Sequence, residues 1–169
     1  LEFRRVLFRS AWGVEGEASG QFVPAISWRA AAAYTDAEVH GGAAAPQLTG
    51  LRPAQTPTWT VTGGLTFRAG EAVTLTTDVR YESARWEDDL NSRRLSAGVQ
   101  VDARAGWRVA EGAEIYLAVE NLTDRKLEVG ETADGVESYS APRTLRIGDR
   151  KSTRLNSSHV SESRMPSSA

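Results

Sequence analysis

Val73-Thr74-Leu75-Thr76-Thr77-Asp78-Val79-Arg80-Tyr81-Glu82 sets Val73, Leu75, Thr77, Val79 and Tyr81 on one side of the backbone and Thr74, Thr76, Asp78, Arg80 and Glu82 on the other. That period of two is the signature of a β-strand. The same alternation runs from Trp59 to Arg68, with Val61, Leu65 and Phe67 on the apolar side, and from Val99 to Arg108, with Val101, Ala103, Ala105 and Trp107. Weaker versions at residues 12–18, 26–34, 115–119 and 144–147 bring the expected total to about seven strands, with no segment that reads as a helix.

The connections between these strands alternate in length. Residues 19–24, 69–71 and 110–112 make short ones, and residues 36–57, 84–95 and 122–140 make long ones. Short turns at one end and long loops at the other are the asymmetry of an outer-membrane β-barrel. Several strands run about ten residues, as a tilted spanning strand requires, against about five or six in soluble sheets. Strands starting at Ile26, Val73 and Ile115 then rise toward the outside, and those starting at Trp12, Trp59, Val99 and Thr144 descend. This places Tyr34, Trp59 and Tyr81 near the outer rim and Trp28, Phe67 and Trp107 near the inner one. Trp59 and Phe67 are separated by roughly 26 Å of strand, or about 20 Å after tilt, close to the apolar band of about 25 Å.

Two motifs sharpen the reading. Val119-Glu120-Asn121-Leu122-Thr123-Asp124, then a long connection, then Ala141-Pro142-Arg143-Thr144-Leu145-Arg146-Ile147-Gly148 resembles the last two strands of a TonB-dependent outer-membrane receptor. Upstream, Arg80-Tyr81 followed by Asp88-Asp89-Leu90-Asn91 resembles the preceding strand and loop, and Tyr34-Thr35-Asp36-Ala37-Glu38 an earlier strand top. Each motif alone is weak; their joint order carries the resemblance. It implies an all-β, antiparallel meander of about seven strands, an incomplete section of a transmembrane barrel of about 22 strands. Asn121, Leu122, Asp124, Pro142 and Arg143 are then structural motif positions.

The two ends read differently. Back-translation of residues 1–10 and 149–159 resembles a short-read sequencing adapter and its reverse complement, and residues 163–169 match the adapter's far end. The expected division is therefore an adapter-derived segment at 1–10, receptor barrel at 11–148 and a second adapter-derived segment at 149–169. Such flanks are set aside from fold reasoning. The chain holds 20 basic and 22 acidic residues; without the flanks 13 and 19 remain, a formal charge of −6. A basic nucleic-acid surface is disfavoured by that balance. Without cysteine there is neither a disulfide framework nor a thiolate metal site.

Catalytic groups are scarce. His159 falls in the adapter-like tail, leaving His40 alone in the Gly/Ala-rich stretch 40–45, where it reads as a solvated loop residue. Glu87-Asp88-Asp89 lacks the turn glycine and distal glutamate of a calcium loop and also reads as solvated. Gly41-Gly42 and Gly63-Gly64 are not phosphate loops, and the second marks close packing within a strand. No cofactor, metal or enzymatic activity is expected.

The polar faces carry Asp78, Arg80, Glu82, Asp102, Arg104, Arg108 and Glu120, expected as cross-strand pairs lining a wet interior or contacting a plug domain. Arg85, Trp86, Asn91, Arg93 and Arg94 are the candidate ligand contacts, because an aromatic ring beside several cations can grip an anionic chelate. The same group could instead meet anionic lipid.

The resemblance implies an outer-membrane active-transport receptor of a Gram-negative bacterium. It takes up a ferric siderophore or similar scarce nutrient, with the TonB complex acting through an N-terminal plug expected in the parent. A passive porin, an autotransporter barrel, a soluble β-sandwich binding module and a barrel protease are the alternatives.

Overall fold

The structure is a computed structural model, and it describes residues 8–151. Seven long strands form one antiparallel sheet. They are β1 (Phe8–Val23), β2 (Ile26–His40), β3 (Trp59–Ala69), β4 (Val73–Glu82), β7 (Gly98–Ala110), β8 (Ala113–Glu120) and β11 (Thr144–Lys151). Every strand lies beside its neighbour in sequence, so the sheet is a meander. Two short hairpins sit inside the long connections, β5 (Arg85–Trp86) with β6 (Arg94–Leu95) and β9 (Glu128–Glu131) with β10 (Glu137–Tyr139). A single 3-10 turn covers Pro46–Leu48.

The register turns the two-residue alternation into continuous rows. Ile26 lies opposite Phe67, Phe67 opposite Leu75, Leu75 opposite Ala105, Ala105 opposite Leu117 and Leu117 opposite Ile147. Trp28, Leu65, Thr77, Ala103, Val119 and Leu145 form the adjacent row on the same face. Paired residues of antiparallel strands project to one side, so this face is apolar across six strands. Nothing among the described residues covers it. Leu65, Phe67, Leu75, Val79, Trp107, Ile115, Leu117 and Leu145 are exposed, and Ile147 is 74% exposed. A soluble sandwich would bury these side chains between two sheets; here there is one large sheet, and that alternative fails.

Aromatic rings mark both ends of the apolar face. Tyr34 packs against Trp12 and Trp59 with centroids 5.3 and 4.9 Å away, and Phe22 stacks on Trp28 at 6.0 Å. Trp12 and Phe22 join belts that the sequence had suggested without them.

The opposite face is polar and laced by ion pairs. Arg29 bonds Asp78 across Gly64, where a Cβ would lie 2.6 Å from Arg29 Nε and 2.8 Å from Asp78 Oδ1. Gly64 is thus a close-packing glycine, as the sequence indicated. Arg80 pairs with Glu82, Arg104 with Glu114 at 2.7 Å, and Arg146 with Glu120 at 3.0 Å. Arg104 also lies over the Tyr116 ring, 4.1 Å from its centroid. Asp102 accepts the Asn121 amide at 2.8 Å and the Gln100 side chain at 3.0 Å. Arg108 stands opposite Glu114 in the β7–β8 ladder.

Three boundaries differ from the sequence expectation. β2 runs on to His40, so residues 36–40 are strand rather than loop, and His40 Nε2 meets Ser10 Oγ at 2.9 Å. β1 begins at Phe8 and β11 ends at Lys151, so Phe8–Ser10 and Asp149–Lys151 of the adapter-like segments continue the ladder. Ladder bonds use only backbone groups, and a strand can therefore lengthen through any sequence free of proline. The remainder of those segments lies outside the described residues.

The buried apolar residues come from the end of the ladder in β2 and from the long connections. Ala37, Val39, Ala45 and Leu95 are the buried apolar residues among those described, with Val39 and Leu95 each 1% exposed. Gly41 makes the first connection possible: its Cβ would fall 1.7 Å from the Ala45 carbonyl oxygen. Gly41→Ala should therefore destabilise the chain by about 1–3 kcal/mol. Gly16→Ala, with nothing within 4 Å of its Cβ, should cost far less. Urea unfolding of the full chain in detergent micelles checks the pair.

Candidate functional site

The long connections, residues 41–58, 83–97 and 121–143, gather at one end of the sheet and bond to one another. Asn91, in the left-handed region at φ 54°, closes the second connection: its Nδ2 donates to the Arg52 carbonyl at 2.8 Å and its Oδ1 accepts the Arg52 amide at 3.0 Å. Asparagine tolerates that backbone better than most residues. Asp88 accepts the amides of Ser92 and Arg93 at 2.9 and 3.0 Å and the Ser92 hydroxyl at 2.7 Å. Partial burial raises its pKa, and these bonds outweigh that effect, leaving it below its ordinary value. Asp89 accepts the Ala54 amide at 3.0 Å and pairs with Arg9 at 3.6 Å, while Glu87 accepts Gln55. The acidic run is thus a set of structural acceptors rather than a solvated stretch. No cluster of three potential metal ligands occurs among the described residues.

The five candidate contact residues occupy two strands and the turn joining them, in unequal environments. Trp86 stands directly opposite Arg94 in the β5–β6 pair. Arg94 is exposed, with no side-chain bond among the described residues, and Trp86 is half-buried. Arg85 is drawn inward, 12% exposed, where it pairs with Glu82 at 3.3 Å and donates to Gln55 Oε1 at 2.7 Å and the Glu128 carbonyl at 3.4 Å. Arg93 Nε reaches the Glu131 carbonyl at 3.2 Å. The structure therefore brings Trp86 and Arg94 together at the surface and commits Arg85, Asn91 and, in part, Arg93 to holding the loops.

Beneath these loops, Arg80, Glu82, Arg85, Gln100, Glu128 and Ser140 help line a cavity of about 220 Å3 on the polar side. Ser140 Oγ there is buried without a partner. Sequence reasoning missed Gln55, Arg52 and Glu128, which act across sequence separations that no local pattern records. The left-handed φ of Gln55, 57°, carries no signal in its residue type.

The two terminal motifs meet as a lock. Asn121, 3% exposed and at φ 52°, donates to the carbonyls of Arg125 at 2.9 Å and Ala141 at 3.1 Å and accepts the Arg125 amide at 3.1 Å. Asp124, at φ 53°, accepts the Arg143 amide at 3.0 Å and its guanidinium at 3.3 Å. These bonds and the nearby charges of Arg143 and Lys126 outweigh desolvation and hold the Asp124 carboxyl below its ordinary range. Leu122 donates its amide to the Val101 carbonyl at 2.7 Å, and the Pro142 carbonyl accepts the Thr144 hydroxyl at 3.0 Å. All five motif positions thus lie where the last two long strands are joined.

A sheet wall with one uncovered apolar face, aromatic rings at both of its ends, a charged opposite face and loops gathered at one end defines a segment of a β-barrel wall. A model of the family described as TonB dependent receptor-like, beta-barrel, matches residues 9–122, and the chain belongs to that family. The matched span ends at Leu122, so the Ala141–Gly148 motif stands on its own bonds to Asn121 and Asp124.

Among solved structures, the siderophore receptor PiuA from Acinetobacter baumannii aligns with a TM-score of 0.72 at 19% identity, over 85% of this chain and 22% of that one. The ferric yersiniabactin uptake receptor FyuA from Yersinia pestis gives 0.73 at 22% identity, over 85% and 23%. The ferric citrate transporter FecA in its unliganded form gives 0.72 at 19%, over 85% and 24%. At these identities the likeness is one of fold, and the chain spans less than a quarter of each of those proteins. No curated protein matches it.

Asn121→Ala should cost about 1–3 kcal/mol, because a buried side chain loses three hydrogen bonds at once. Asp124 sets the pH response. Its folded value lies below the ordinary 3.8, so its contribution is complete above that value and is lost as the pH falls through the depressed one. The Arg143 amide should accordingly stay protected from hydrogen exchange at pH 4, and Asp124→Ala, which removes the acceptor, should abolish that protection.

Proposed function

We propose that the chain forms part of an outer-membrane active-transport receptor of a Gram-negative bacterium, one that takes up a ferric chelate or a similar scarce nutrient with energy delivered by the TonB complex. One observation carries the reading: in a chain of this family, the face bearing Leu65, Val79, Leu117 and Ile147 is uncovered, and lipid is the medium that suits it. The polar face then lines the lumen. The loop layer, with its own buried core, faces the medium.

The nutrient contact falls to Arg85, Trp86, Asn91, Arg93 and Arg94, in divided roles. Trp86, Arg93 and Arg94 meet the ligand, while Arg85 and Asn91 fix the shape of the loops that present them. A ring beside two cations favours an anionic, flat-faced chelate. The similar structures are a siderophore receptor, a ferric yersiniabactin uptake receptor and a ferric citrate transporter, which accords with that chemistry. Transport contributes no catalytic step in this section of wall. We propose further that residues 1–10 and 149–169 derive from adapter sequence and contribute no ligand contact.

In the complete receptor, uptake of a ferric chelate should require TonB and should fall at least about tenfold when Trp86, Arg93 and Arg94 become alanine, as the loss of a charge-assisted contact implies. Uptake independent of TonB would assign a passive pore instead. In the same receptor refolded into lipid vesicles, Val79→Lys should cost about 2–4 kcal/mol, as a cation at the lipid midplane does. Thr62→Lys, on the polar face near Glu17, should cost much less. Equal costs would remove the lipid-facing assignment.

A further inference from the structure

The three long connections are each folded on their own account, and a further set of hydrogen bonds joins them to one another. The first and second are joined by the Arg52–Asn91 pair of bonds, by the Ala54 amide on Asp89 and by the Gln55 amide on the Trp86 carbonyl at 2.7 Å. The second and third are joined by Arg85 on the Glu128 carbonyl, by Arg93 on the Glu131 carbonyl and by the Ser96 amide on Glu128 Oε2 at 2.7 Å. Gln55 closes the circuit. Its Oε1 accepts Arg85 Nε at 2.7 Å, and its Nε2 donates to Glu87 and to the Val129 carbonyl, 3.4 Å away in the third connection.

The geometry points to a cap that opens as one body, with Gln55 and Arg85 as the positioning residues that make the third connection follow the first two. Three features support this beyond the count of bonds. Gln55 keeps a left-handed backbone that a non-glycine residue rarely adopts, and such a conformation persists only where its surroundings fix it. Arg85 is a charged side chain turned inward between Glu82, Gln55 and Glu128, so freeing the first or the third connection costs this guanidinium a partner. The fully buried side chains lie at this end of the molecule, Val39 near the end of β2 and Leu95 in β6. Local openings in proteins follow contiguous cooperative units of this kind. A ligand that engages Arg94 in the second connection would then alter the first and third without touching them, and independent closure of single loops is disallowed.

Hydrogen exchange of the full chain in detergent micelles, read by mass spectrometry with increasing urea, tests this. The amides of Gln55, Glu87 and Ser140, bonded to Trp86, Arg93 and Leu127, report on the first, second and third connections in turn. One body predicts a common opening constant and a common urea slope for all three. Gln55→Ala should speed all three by about tenfold, the effect of losing one or two net hydrogen bonds. Arg68→Ala, at the far end of the sheet, should change none. Acceleration confined to residues 50–58 overturns the proposal. If Gln55→Ala fails to fold, three distinct urea slopes in the unsubstituted chain overturn it equally.

Discussion

Everything in this molecule depends on strand register. Side chains alternate with a period of two, so slipping a single strand by one residue would carry its apolar set to the charged face and its charges to the apolar one. Six successive pairings hold that register from β1 to β11, with irregularities confined to the turns near Val23 and Ala110. The row from Ile26 to Ile147 exists only because all of the intervening pairings agree. The ion pairs behind it help to enforce the agreement: Arg29 reaches Asp78 across Gly64, and Arg146 reaches Glu120, only in this alignment.

The consequence is an inversion of the usual soluble arrangement. The sheet buries little of its own apolar surface, and the side chains most shielded from solvent belong to the end of β2 and to the loop layer. Sheet stability then rests on ladder hydrogen bonds, cross-strand contacts and whatever medium covers the apolar face. The loop layer needs no such medium. Many of its polar groups find partners within the protein, from Asp88 over the Ser92 and Arg93 amides to Asn121 over Arg125 and Ala141. Strand ends and loops are consequently one construction: Asn121 finishes β8, receives support from Asp102 on β7 and holds the segment that leads into β11.

The sheet was legible in the sequence because alternation is a local property. Residues 73–82 and 59–68 announce their faces without knowledge of their neighbours, and the short and long connections announce their ends. The terminal motif was legible for a different reason, since asparagine and aspartate are the residues that accept left-handed backbone, as Asn121 and Asp124 do. Other features were not legible. The strand character of residues 36–40 was hidden because Asp36, Glu38 and His40 look like loop residues, whereas β1 supplies them with a full set of backbone partners. The inward turn of Arg85 was hidden because its partners, Gln55 and Glu128, are 30 and 43 residues away. Composition marked the 85–94 cluster as a place to grip an anion, and only the fold separated the exposed Arg94 from the buried Arg85.

The central claim is that one face of this sheet meets hydrocarbon while the loop layer meets water, and tryptophan reports on both. Trp12, Trp59 and Trp107 stand on the apolar face, and Trp86 belongs to the loops. The direct measurement is fluorescence quenching of single-tryptophan versions of the full chain in micelles of brominated detergent. Strong quenching of Trp12, Trp59 and Trp107 with Trp86 unaffected is the result that this account predicts. Equal quenching of all four, or quenching of Trp86 alone, would contradict it.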